Sequence, residues 1–116
     1  MENHEYAVRD FESAININPN DSNSYLHKGN SRLKQNLVHE AIEDFNQAKD
    51  LGEDPAVYNG LGCCYHQLRD FDEAIDYFNQ AIAAKPNQVE FLRSRAQCYF
   101  DMQQYQMAID DLSTAL

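Results

Sequence analysis

Four alanines, Ala7, Ala41, Ala74 and Ala108, stand 34, 33 and 34 residues apart. A second series, Ala14, Ala48, Ala81 and Ala115, follows each of them by seven residues, and Phe11, Phe45, Phe78 and Leu112 fall between. Within one unit, Phe71, Ala74, Phe78 and Ala81 step by 3, 4 and 3, which places them on one face of an α-helix. Small residues alternating with rings on such a face let a neighbouring helix approach closely while the rings fill the gaps. A unit of this length cannot bury its apolar face alone, so a chain with this period must stack one unit on the next.

Each of these helical patterns is preceded by another. Tyr58, Leu61, Gly62 and Tyr65 again follow helical spacing, and Leu92, Ala96 and Tyr99 occupy the same columns one period later. Short breaks separate the two patterns within a unit, and longer ones containing Pro19, Pro55 and Pro86 separate the units. The pattern predicts an all-α solenoid of about seven helices in a single array. Residues 1–21 supply the second helix of a first unit, 22–54 and 55–88 are full units, and 89–116 is a truncated one.

Residues 58–87, YNGLGCCYHQLRDFDEAIDYFNQAIAAKPN, resemble a near-complete tetratricopeptide repeat: an aromatic, Leu-Gly, Tyr, then Phe, Ala, Phe, Ala and a closing Pro. The resemblance extends over essentially the whole chain. It implies a right-handed superhelix whose first helices line a concave groove, and a fragment of a longer protein. Some residues depart from the family pattern. Lys28 and Arg95 share the column of Leu61, Arg32 shares that of Tyr65 and Tyr99, and Glu53 stands where a closing proline is expected. These long basic side chains are expected to lay their stems inside and carry their charge outward.

The formal net charge of -10 argues against nucleic-acid or anionic-membrane binding, which need clustered Lys and Arg. No apolar run approaches the roughly 20 residues that span a bilayer. The polar start, MENHEYAVRD, predicts no secretory leader. Three cysteines suggest no disulfide framework, so a cytoplasmic setting with reduced thiols is expected.

The stretch most suggestive of chemistry is Gly62-Cys63-Cys64-Tyr65-His66. Cys64 shares a column with Ser31 and Cys98, a small-residue slot against the partner helix, where a free cysteine acts as a small hydrophobe. Cys63 and His66 are spaced to share a face, but the nearby columns offer Lys34, Arg93 and Ser94 rather than further ligands, so no metal or cofactor is expected. A Cys-His nucleophile also lacks an orienting third group and an oxyanion site, so no enzyme is expected. Gly60-Leu61-Gly62 starts like a dinucleotide fingerprint but lacks the third glycine. Gly62 is expected to serve close helix packing and Gly60 to open space on the groove wall. Asp10, Glu43, Asp44, Asp76, Asp110 and Asp111 are expected to face outward on the convex side, as a solvated surface or a dock for a basic partner.

The columns expected to line the groove supply Leu26, His27, Asn30, Leu33, Asn59, Cys63, His66, Arg93, Gln97 and Phe100. Amides among them can bond the backbone of an extended peptide without demanding one sequence. The expected function is therefore a protein–protein interaction scaffold that binds an extended partner segment in the groove. The alternative is an assembly module that stacks end to end or docks a basic partner. One subclass of the family grips chaperone C-terminal carboxylates with Lys, Asn, Asn, Lys and Arg. Here Leu26, Gly60, Glu90 and Ser94 replace four of those five, and that ligand is not expected. Val8, Phe11, Ile15, Ile109 and Leu112 are expected to be partly uncovered at the ends of the array, favouring self-association.

Overall fold

The backbone reverses wherever the periodic apolar pattern stops. In the computed structural model, which describes residues 22–52 and 54–115, the chain forms six α-helices. They are α1 (Ser22–Lys34), α2 (Val38–Leu51), α3 (Pro55–Gln67), α4 (Phe71–Ala84), α5 (Val89–Asp101) and α6 (Tyr105–Ala115). The helix expected over residues 1–21 lies outside the described residues. Pro55 opens α3, where its fixed φ and missing N–H suit a first turn, and the Asp54 carboxylate accepts a 2.9 Å hydrogen bond from the Ala56 N–H.

The three short breaks make one and the same turn. Asn36, Arg69 and Gln103 adopt φ of 65°, 63° and 64°. In each case the next N–H reaches back across the helix end, from Leu37 to the Arg32 carbonyl, Asp70 to Tyr65 and Gln104 to Tyr99, all at 2.9 Å. This is the left-handed helix stop of a Schellman motif, built on a non-glycine residue. It folds α1 onto α2, α3 onto α4 and α5 onto α6. Each second helix then packs on the next first helix, and α3 touches both α1 and α5.

The alanine and phenylalanine columns form the core. Ala41, Phe45, Ala48, Ala74, Phe78 and Ala81 are fully buried. The rings need glycines opposite them. A Cβ on Gly29 would lie 2.8 Å from the Phe45 ring and one on Gly60 2.5 Å from it, while a Cβ on Gly62 would lie 2.5 Å from Phe78. Gly60 is thus buried packing and not open groove wall, contrary to expectation, because Phe45 reaches from one helix pair into the next. Cys64 and Cys98 are fully buried and Ser31 is buried, as the small-residue column requires.

The acidic columns also divide differently from expectation. Glu43, Asp76 and Asp110 are exposed, but Asp44 and Asp111 are buried. Asp44 faces Lys28 Nζ at 3.7 Å and Arg32 Nε at 3.5 Å. Asp111 accepts two hydrogen bonds from Arg95, 2.8 Å from Nε and 2.6 Å from Nη2, and Arg95 Nη1 donates to Asn79 at 2.7 Å. The basic side chains therefore turn their charge toward buried carboxylates across their own helix pair, which spares both ions an unpaired burial. In the middle pair the same places hold Leu61 and Tyr77, and Tyr77 stacks between Tyr58 and Tyr65 with centroids 6.4 and 5.6 Å away.

Candidate partner-binding groove

α1, α3 and α5 stand side by side, and the residues on their shared face differ in what they leave open. His27, Asn30, Arg93 and Gln97 are exposed, and Phe100 retains 56 % of its surface. Leu33, Cys63 and His66 are half-buried. Leu26 and Asn59 are buried: Leu26 joins the core cluster of Phe45, Val57 and Leu61, and Asn59 keeps an Oδ1 that is closed to solvent and without a hydrogen-bond partner. One helical column holds Leu26, Asn59 and Arg93, and its first two members are buried while Arg93 is exposed. Periodicity identifies the column but not this difference.

Cys63 packs against the Ala74, Phe78 and Cys98 cluster. Burial pushes its thiol up to about 11, opposed by a hydrogen bond with Ser94 and assisted by Glu90. Burial likewise pushes Cys64 to about 12 and Cys98 to about 11. Thiols held so far above neutrality supply almost no thiolate. Among the described residues no three His, Cys, Asp or Glu side chains gather as a metal site would require, and none of the described helices is long and apolar enough to cross a membrane.

His66 makes a contact that its sequence neighbours do not announce. Its Nε2 lies 2.5 Å from Asp101 Oδ2, joining the ends of α3 and α5. Gln97 Nε2 donates to the other Asp101 oxygen at 3.2 Å. The bond to His66, aided by Gln97, holds the Asp101 carboxyl below its ordinary value of 3.8. Asp101 shares a column with Lys34 and Gln67, and only the juxtaposition of α3 and α5 singles it out. Beside it a cleft of about 460 Å³ opens between the turns after α3 and α5, where the Arg69 guanidinium sits 5.2 Å from the Phe71 ring centroid.

Stacked antiparallel helix pairs with a continuous face of first helices define an α-solenoid. Residues 55–88, which form α3 and α4, match the tetratricopeptide-repeat family model. It is 28% identical over 108 residues to the mitochondrial import receptor subunit TOM70 of Saccharomyces cerevisiae, covering 90% of this chain and 18% of that protein. It is 30% identical over 99 residues to human DnaJ homolog subfamily C member 7, covering 84% of this chain and 19% of that one. The chain thus spans less than a fifth of the length of these relatives. In fold it is similar to crystalline MamA, with a TM-score of 0.82 at 21% identity over 97% of this chain and 66% of that one.

Proposed function

We propose that an extended segment of a partner protein lies along the face of α1, α3 and α5, in the concave groove that the family resemblance implies. The observation that carries this reading is the line of exposed polar side chains, His27, Asn30, Arg93 and Gln97, beside the exposed Phe100 ring. None of them is needed for the alanine–phenylalanine core. Asn30 and Gln97 would bond a peptide backbone at about 0.5–1.5 kcal/mol each, and Arg93 would contribute more against a carboxylate. Leu33 and Phe100 would anchor apolar side chains. Asn59 is buried and offers no exposed amide to the segment. On this reading the protein is a scaffold with no catalysis of its own, working in a reducing compartment such as the cytoplasm, where its three free thiols persist.

The test is a peptide selected from a random phage-displayed library, its binding measured by calorimetry at low and high salt. Asn30→Ala with Arg93→Ala should weaken it on the order of tenfold, the sum of the two lost interactions. Asp76→Asn with Asp110→Asn, both on the exposed outer surface, should leave it unchanged. Loss confined to the outer-face variant, with steep salt dependence, would move the site to the convex side.

A further inference from the structure

Asn59 is the one asparagine of the chain that a glycine follows. With no β-carbon beside it, a glycine N–H is the main-chain nitrogen least hindered in attacking the preceding side-chain amide. Both residues lie within α3 and both are buried. The Asn59 Oδ1 is closed to solvent and has no hydrogen-bond partner, so no donor holds the side-chain carbonyl in place. Gly60 cannot give way to a less labile residue, because a Cβ there would lie 2.5 Å from the Phe45 ring. The contact that joins the first helix pair to the second therefore requires the most reactive of asparagine peptides.

While α3 is intact the reaction is blocked. Helical geometry commits the N–H of residue 60 to the carbonyl of residue 56, and the helical ψ of residue 59 holds that nitrogen out of line with Cγ. The peptide must leave the helix to close a five-membered ring, so the rate follows the fraction of molecules in which α3 is open. In the opened state hydroxide takes the Gly60 N–H proton, and the nitrogen bonds to Asn59 Cγ. The Cγ–Nδ2 bond breaks, and the amide nitrogen takes a proton from water and leaves as ammonia. Water then opens the imide. Attack at Cγ leaves aspartate, and attack at the Asn59 main-chain carbonyl carbon leaves isoaspartate. Neither product fits the closed helix. Aspartate buries a carboxylate oxygen where Oδ1 already lacks a donor. Isoaspartate lengthens the main chain by one atom and displaces Leu61, Gly62 and Cys64, all of them buried.

We propose that Asn59-Gly60 is a deamidation site gated by the opening of α3, so that each opening carries a chance of irreversible loss of the middle helix pair. The reaction needs only water, and the inference does not depend on the groove reading.

Trypsin gives an unambiguous readout, because cleavage after Lys49 and Arg69 releases residues 50–69 with Asn59 as their sole asparagine. The full chain is aged at mildly alkaline pH in native buffer and across a urea series that passes the unfolding midpoint. Mass spectrometry of the released peptide follows the conversion of amide to acid. Conversion in native buffer should be slower than in a synthetic 50–69 peptide by on the order of tenfold or more, and should rise with urea in step with the opened fraction. Phe45→Leu, which withdraws the ring from Gly60, should speed conversion in native buffer and leave the unfolded limit unchanged. Should Phe45→Leu not fold, the urea series decides alone. Asn59→Asp, which is one of the two products made directly, should unfold at a clearly lower temperature than the parent. Native conversion as fast as that of the synthetic peptide, or no conversion in urea, would overturn the gated site. An Asn59→Asp chain as stable as the parent would overturn the irreversible loss.

Discussion

Sixteen residues separate Lys28 from Asp44, Leu61 from Tyr77 and Arg95 from Asp111, and each of these couples meets across one helix pair. Where the second helix carries a buried aspartate the first carries a cation; where it carries a tyrosine the first carries a leucine and a second tyrosine, Tyr65, completes the stack. Removing one partner strands the other. Arg95→Leu should cost about 2–4 kcal/mol in denaturant unfolding, since Asp111 is buried and loses both of its hydrogen bonds. Arg95→Leu combined with Asp111→Tyr copies the middle pair, with Tyr99 in the place of Tyr65, and should recover most of that loss. A double variant no more stable than Arg95→Leu would mean that the couples do not act as units. The alternation was present in the sequence, but reading columns along the array placed Asp44 and Asp111 with the exposed acids, and only contact across a pair separates them. The thiols follow the same logic of burial. Raised to about 11 and 12 by desolvation, all three cysteines should react with a disulfide reagent far more slowly folded than in denaturant, half-buried Cys63 first. Fast native labelling of Cys64 or Cys98 would contradict their packing.

At the scale of a helix, what decides the fold is the fit of rings into gaps left by small residues. Ala74 is fully buried where α4 meets its neighbours, so Ala74→Leu should overpack the interface and cost about 1–3 kcal/mol, while Asp76→Lys on the exposed side costs little. Gly62→Ala is a sharper case. Alanine gains about 1 kcal/mol in helix propensity, but its Cβ would sit 2.5 Å from a Phe78 ring that is fully buried and cannot swing away. The steric cost should prevail, and thermal denaturation of Gly62→Ala should show a lower midpoint than the parent; a rise would mean that the ring relaxes cheaply. The alanine, phenylalanine and cysteine columns were legible because a period of 33–34 residues records the same burial several times over. The role of Gly60 was not, because it depends on how far Phe45 projects from one pair into the next, a relation between units that no single unit encodes.

Across the whole molecule, cohesion rests on what joins one pair to the next, because each pair touches only its neighbours. Phe45 provides one such junction, buried between Gly29 of its own pair and Gly60 of the following one. His66 and Asp101 provide another, at the ends of α3 and α5, through a hydrogen bond to the Asp101 carboxylate. The candidate groove face was legible as a set of columns, but which members stay open and which are tied together depends on this stacking, as buried Asn59 and the unforeseen Asp101 show. The Asp101 carboxyl titrates below its ordinary 3.8, chiefly through the His66 hydrogen bond. A folded-state value below the unfolded one adds stability that is complete above the unfolded value and disappears as pH falls through the folded one. Asp101→Asn replaces a charge-assisted bond with a weaker neutral one. It should therefore lower the unfolding midpoint at neutral pH, and the difference from the parent should shrink to nothing as pH drops through and below the carboxylate range. Because the side chain is a third exposed, the effect should be small in global unfolding and clearer in amide hydrogen exchange, as faster opening of α5 and α6 relative to α3 and α4. A difference that stays constant down to acid pH would show that Asp101 joins the two pairs through packing and not through its charge.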